Sequence, residues 1–416
     1  MLLVSVAVFL ITESSPGNVA RNVLGSFVTP EQEASFLNQT GLDEPVWLRY
    51  IYWLAGSDWH AETRSGFSLE RLNTDQGFRE WWARTDGGRL VRWKLEGDDL
   101  VAIYRNPDGS LEEELDNERW RTKKGRTFFW GIDSANHAVF WEKGSDRKVW
   151  TFVMGTGWME STGGPVDYIP LKKGFIRGDP GISLMTGRSV EKSLFTRLRN
   201  SLVLAGIAFV LVMPLALFLG MIAGLKEGTF QDRALSIGGM VFSVIPEFAT
   251  GIFLILIFAI WLKIVPGATV FGEAAPWERI DMLILPILTL TLIELGYVLR
   301  ITRASMVEVM KSPYIRTAHL KGLPYWRIIF RHAVRNALMA PITVIMLHVN
   351  WLMGGIVIVE VVFGYPGLGK YLLDAAVNKD INALEAGSMI LVLLAVGTQL
   401  IADVIYMFIN PRIRYT

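Results

Sequence analysis

Histidine, cysteine and paired carboxylates are where most protein chemistry begins, and in this chain they give catalysis little to work with. There is no cysteine, so thiol catalysis, disulfides and cysteine metal sites are excluded. The five histidines, His60, His137, His319, His332 and His348, form no HExxH or similar pair, and no metal site is expected. No GxxxxGK followed by Ser or Thr occurs, so nucleotide is not bound by that kind of phosphate loop. The GxG in MGTGWMESTGG opens no apolar helix and reads as loop. The sequence thus offers no catalytic residue and no cofactor of its own.

What remains is polar groups in apolar surroundings. Glu294 lies in LTLIELGYVL, Asp403 in LIADVIYMF, Glu360 before VVFGYPG, and Asn350 with His348 in MLHVNWL. Ionisable groups inside long apolar segments either line a pathway for a polar solute or hydrogen-bond neighbouring helices. Both readings are open for these residues.

The elements that must position them are membrane helices. At 51% hydrophobic, the 416-residue chain is too apolar for an ordinary soluble protein. Five segments, near 201–224, 235–262, 282–302, 339–362 and 385–409, each hold roughly 20 or more mostly apolar residues, enough to cross a ~30 Å hydrocarbon core. A sixth, MLLVSVAVFLI, opens the chain and is long enough for only about half a bilayer as helix. It lacks the charged start and clean cleavage site of a signal peptide, and is expected to be the second half of a span whose first half lies upstream of Met1.

Charge gives orientation. Arg300, Arg303, Lys311, Arg316, Lys321, Arg327, Arg331 and Arg335, against Glu308 alone, place the loop between the fourth and fifth spans on the cytoplasmic side. Arg412 and Arg414 put the C-terminus on that side too, as parity requires.

Residues 57–173 differ from the rest. The region is polar, nearly charge-balanced and holds nine of the fifteen tryptophans. Its runs RLVRWKL, DLVAIYRN, RTFFWGI, HAVFWEK and RKVWTFVM are short, aromatic and β-branched. EGDD, NPDGS, KKGR and KGSD separate them as turns, and NPDGS predicts a hairpin. A small, mostly β domain outside the membrane follows. Sugar binding by exposed tryptophans and catalysis by acids such as Asp98, Asp99, Glu112, Glu113 and Glu114 are alternatives, although tryptophan in a small β domain is more often core.

The basic loop carries the sharpest signal. In KSPYIRTAHLKGLPYWRIIFRHAVRNALMAP, Ser312 suits an N-cap, Pro313 the first helical position and Gly322 the position past the end. A short punctuated helix over 313–321 is predicted, then a break at Leu323–Pro324. A second helix should follow, with Arg327, Arg331 and Arg335 on one face and Ile328, Ile329, Phe330 and Val334 on its apolar side. A rigid helix held in a loop is a shape that docks into a partner's groove. A channel or secondary transporter without an ATPase is the alternative.

AHLKG and its surroundings resemble the cytoplasmic loop signature of the membrane permease subunits of binding-protein-dependent ABC importers, with Arg316, Thr317, Ala318 and Gly322 in the places of the family's Glu, Ala, Ala and Gly. Arg316 in place of Glu is a departure seen in the oligopeptide, dipeptide and nickel branch. VFLITESSPGNVARNVLG with TPEQ, TGLDEPVWLRYIYWL, GDPGISLMTGRSVEKSLFTRLRNSL, SVIPEFATGIFLILIF, EVVFGYPGLGKYLLDAA and ADVIYMFINPRIRY are similar to that branch in order and spacing, across 4–56 and 174–416.

The resemblance implies an all-α polytopic membrane protein of the type I importer kind. It would have six transmembrane helices and a mostly β extracytoplasmic insertion between helices 1 and 2. Its parts would be a truncated first helix (1–12), a periplasmic segment (13–56), the insertion (57–173) and a five-helix core (174–416) with coupling loop 303–338. It implies a bacterial inner-membrane location and a solute that is an oligopeptide or dipeptide, with oligosaccharide, opine or nickel as alternatives. Implied partners are a second permease subunit, two cytoplasmic ATPases that carry ATP and Mg, a periplasmic binding protein and membrane lipid. No nucleic acid is implied. The implied ATPase contact is Tyr314, Ile315, Arg316, Thr317, Ala318, Lys321, Gly322 and Leu323. Glu294, Asn350, Glu360 and Asp403 are the pathway residues to test.

Overall fold

The computed structural model describes residues 2–14, 19–25, 27–73, 79–153, 157–271 and 275–409. The chain divides into two compact units, Met1–Ser193 with Ala375–Ala386, and Leu194–Asp374 with Gly387–Thr416.

The first unit opens with five helices, α1 (Leu2–Ser14), α2 (Val19–Leu24), α3 (Pro30–Thr40), α4 (Val46–Ala55) and α5 (Asp58–Ser65). The TPEQ stretch shows how sequence starts a helix. Thr29 caps α3, its hydroxyl accepting from Gln32 N while Gln32 Oε1 accepts from Thr29 N at 3.0 Å, and Pro30 stands where no N–H is needed. The apolar α1 is shorter than a span and meets α4 through Phe9, whose ring lies 5.3 Å from Tyr50 and 6.0 Å from Trp53. Arg49 pairs with Glu13 at 2.8 Å.

Eleven strands follow among the described residues. β1 (Ser68–Asn73), β2 (Arg79–Arg84), β3 (Leu90–Glu96), β4 (Asp99–Arg105) and β5 (Leu111–Leu115) form one antiparallel sheet in sequence order. β6 (Arg121–Lys123), β7 (Arg126–Ile132), β8 (His137–Glu142) and β11 (Asp167–Pro170) form a second, and β9 (Lys148–Val153) with β10 (Gly157–Thr162) a ribbon. All five predicted runs are strands, and NPDGS turns the β4–β5 hairpin with Arg105 opposite Leu111. Of MGTGWMESTGG, read as loop, Gly157–Thr162 is instead a strand paired with β9, while 154–156, with the first glycine of the GxG, lie outside the described residues. The ladder to β9 supplies the backbone partners that its composition does not advertise.

Aromatic residues make the core here. Trp81, Trp93, Phe129, Trp141 and Tyr168 are buried with Val91, Leu100 and Ile132. Trp82 is also buried, beneath the Arg92 guanidinium 4.5 Å from its ring. These tryptophans are packing, not a sugar platform. The two ends of the region lie side by side. Ser57 N donates to Lys172 O at 3.0 Å, and the Ser57 hydroxyl bonds Pro170 O and accepts from Lys172 N. A Cβ on Gly56 would fall 2.5 Å from Lys173 O, so only glycine allows this approach.

The helix that leads into the second unit is α6 (Val190–Leu225), followed by α7 (Phe230–Val244), α8 (Glu247–Leu254) with a π turn to Trp261, α9 (Ile280–Met310) and α10 (Pro313–Leu320). Next come α11 (Tyr325–Arg327), a π turn (Ile328–Ala333), α12 (Val334–Ala337), α13 (Met339–Phe363), α14 (Leu368–Val377) and α15 (Ile381–Ile409). Among the described residues, four helices are long and apolar enough to cross a membrane, and up to six if each of two bent pairs counts as one span.

The expected single span over 235–262 is broken. α7 and α8 meet at 108°. Pro246 has no N–H and pushes the residue before it out of helical geometry, and Ile245 is extended, with ψ 129°. At the crossing of α7 and α9, Gly239 faces Gly296, and a Cβ on Gly296 would collide with Gly239 O.

Candidate functional site

α10 is a short helix built to stay put. Ser312 has extended N-cap dihedrals and Pro313 takes the first position, as expected. The Ser312 hydroxyl, however, does not cap α10. It donates to Val309 O, one of the carbonyls left over at the end of α9. At the far end Gly322 has φ 71°, and its N–H donates to His319 O at 3.0 Å. Leu323 N reaches back to Ala318 O at 3.3 Å, closing the turn.

One face of α10 is an anchor. Ile315 and Ala318 are buried with Met306 from α9 and with Ile328, Ile329, Ala333 and Ala337 from the elements that follow. The Tyr314 hydroxyl accepts from Asn336 Nδ2 at 2.9 Å. The other face is open: Arg316, Thr317, Leu320, Lys321 and Gly322 are exposed, with Leu323 half-buried. Of the eight residues expected to make the contact, Ile315 and Ala318 therefore hold the helix from behind. Leu320, which was not among the expected contact residues, is 81% exposed on the open face. A large apolar residue inside a basic loop was the available signal.

The segment after the Leu323–Pro324 break also departs from expectation. A π turn over Ile328–Ala333 shifts the faces. Phe330, placed on the apolar side by an ordinary helical period, is exposed, while Ala333 and Ala337 take the buried positions. Arg327, Arg331 and Arg335 are exposed, as expected.

The described pathway candidates, Glu294, Glu360 and Asp403, each have hydrogen-bond partners of their own. Glu294 on α9 is buried and bonds His348 Nδ1 on α13 at 2.7 Å. The Tyr297 ring lies 4.6 Å from the His348 ring. Glu360 is fully buried at the end of α13 and accepts from Gly369 N at 2.7 Å, Lys370 N at 3.1 Å and the Ser201 hydroxyl. It closes the first turn of α14, which turns back at 73°. Tyr365 completes this corner by donating its hydroxyl to Asn200 O at 2.8 Å. Asp403 is exposed on α15 and accepts from Gln399 Nε2 at 3.0 Å. The side chain of Asn350 lies outside the described residues. Ser201 and Tyr365 were missed, and no spacing in the sequence marks them as partners of this corner.

Comparison with known proteins agrees with the geometry. The profile of the family described as binding-protein-dependent transport system inner membrane component matches residues 216–415, which include α10 and the broken helices. A probable peptide ABC transporter permease of Sinorhizobium fredii is 34% identical over 254 residues, 60% of this chain and 80% of that protein. An oligopeptide transport system permease of Bacillus subtilis is 32% identical over the same coverage. A dipeptide transport system permease of Escherichia coli is 29% identical over 311 residues, 68% of this chain and 87% of that protein. A helix pinned by its back face in a basic loop, on a scaffold of apolar helices that shares this much sequence with peptide permeases, leads to one conclusion: the chain belongs to the family of inner membrane components of binding-protein-dependent transport systems.

Proposed function

We propose that the chain is the permease subunit of an ATP-driven importer for an oligopeptide or dipeptide. The relatives' transport of peptides supports the solute class. The observation that carries the mechanism is α10, fixed by Ile315 and Ala318 and open along Arg316, Thr317, Leu320 and Lys321. That face seats in a cleft of a cytoplasmic ATPase. Closure of two ATPases on ATP and Mg moves α10 as a lever and switches the pathway between its two faces. A second permease subunit completes the channel, and a periplasmic binding protein delivers the peptide. ATP hydrolysis belongs to the ATPases.

In this reading α1 belongs to the first span, and α6, α7 with α8, α9, α13 and α15 are the other five, giving six in the type I importer arrangement with a cytoplasmic C-terminus. Residues 57–173 form a periplasmic insertion between spans 1 and 2, a reading supported by the adjacency of Ser57 and Lys172. The insertion orients the binding protein over the pathway. Glu294 with His348 lines that pathway, while Glu360 serves the corner of α14.

Purification through this subunit in mild detergent tests the proposal. Recovery of a related permease and one or two ATPases is the expected result. Recovery of the chain alone, with no ATPase able to bind it, would overturn the reading.

A further inference from the structure

We infer that the segment after α10 forms a binding site for anionic phospholipid headgroups of the cytoplasmic leaflet. Trp326 and Phe330 are 69% and 65% exposed, and their rings stack at 5.8 Å and 16°. They form an apolar ridge pointing away from the buried stripe of Ile328, Ile329 and Ala333. Arg327 and Arg331 directly follow Trp326 and Phe330 in the chain, Arg335 comes four residues later, and all three are exposed.

Their cations are not neutralised among the described residues. In the same region Arg303 is held by Asp232 and Lys311 by Glu227. Among the described residues, no acid pairs with Arg327, Arg331 or Arg335. The element is also the first turns of an apolar helix, Tyr325–Met346, long enough to cross a membrane. Stacked tryptophan and phenylalanine beside arginines at the start of a span match the two halves of a lipid, with rings at the headgroup boundary and guanidinium groups on phosphate oxygens. An acidic protein surface would meet the charges but leave the aromatic ridge uncovered, which is why lipid is the favoured occupant.

The inference rests on the cytoplasmic placement of this loop proposed above. The test uses the importer complex purified through this subunit, stripped of lipid, then offered phosphatidylglycerol or phosphatidylcholine and weighed intact by native mass spectrometry. Wild type should retain phosphatidylglycerol preferentially. Each cation near an anionic surface contributes roughly fivefold in affinity, so R331Q should lower retention about fivefold and R327Q/R331Q/R335Q by tenfold or more. R327K/R331K/R335K keeps the charge and should retain most of it. Equal retention of the two lipids, or unchanged retention in the triple glutamine variant, overturns the inference. So does a triple glutamine variant that keeps its lipid but sheds the ATPases, since the arginines would then serve protein. If wild type yields no ATPase, the importer reading fails, yet lipid selectivity is still measured on the chain alone.

Discussion

A buried carboxylate survives in an apolar setting only when hydrogen bonds replace the water it lost. Glu360 has three donors, two of them from the first turn of α14. Glu360→Ala would leave those donors unpaired and should lower stability by about 2–3 kcal/mol, read as an earlier thermal transition in detergent. Glu360→Gln keeps acceptor capacity at one oxygen and should fall between. Normal stability with lost uptake in Glu360→Gln would move this residue from the corner to the pathway. His60 tests a different balance. It bonds the Tyr52 hydroxyl, and burial, with Arg64 beside it, holds its pKa below the ordinary histidine value. The folded state therefore resists a proton that the unfolded chain accepts at about pH 6.5. The stability that His60 contributes is complete above that pH and is lost as pH falls through the lower, folded value. Hydrogen exchange in α4 and α5 should speed up on acidification, and His60→Gln should flatten that dependence.

At the scale of elements, α10 is a lever only if its back is rigid and its front is free. Leu320→Asp places a charge on the open face without touching Ile315 or Ala318, and should cut ATPase recovery and uptake while leaving thermal stability within about 0.5 kcal/mol. Gly322→Trp acts on the end of the lever. At φ 71° a bulky residue is strained, so the turn shifts, and ATP hydrolysis should continue without transport. Coupled uptake in Gly322→Trp counts against the lever. The bounds of α10 were legible in the sequence because Pro313 and Gly322 are local signals that act within one or two residues. The broken span at Pro246 was not, since apolarity runs through the break and only the proline marks it. Phe330 was misplaced for a related reason. Hydrophobic period assumes 3.6 residues per turn, and the π turn over Ile328–Ala333 does not keep it. Strands with aromatic and β-branched runs were legible, while LEEEL and GWMEST became strands through their neighbours' ladders.

On the scale of the whole molecule, residues 57–173 begin and end at one place, so the rest of the first unit need not depend on them. The dependence that does exist is specific. Asp179, in GDPGIS, is buried and pairs with Arg71 at 2.7 Å and Arg79 at 3.0 Å, both from the insertion, and Arg79 also reaches Glu191 at the start of α6. Removing 58–172 and joining Ser57 to Lys173 takes both arginines away and leaves the carboxylate, among the described residues, with the Lys173 and Gly181 N–H groups as its hydrogen-bond donors. Losing the partner of a buried ion typically destabilises by about 3–5 kcal/mol. The deletion alone should therefore lower the thermal transition, and adding Asp179→Asn, which removes the charge, should restore most of it. With folding secured in that double change, uptake isolates the role of the domain. ATPases should still co-purify, because α10 is untouched, while binding-protein-dependent uptake should fall at least tenfold. Uptake at the wild-type level would refute a docking role and leave the insertion as a domain tied to the following segment by the pairs of Arg71 and Arg79 with Asp179.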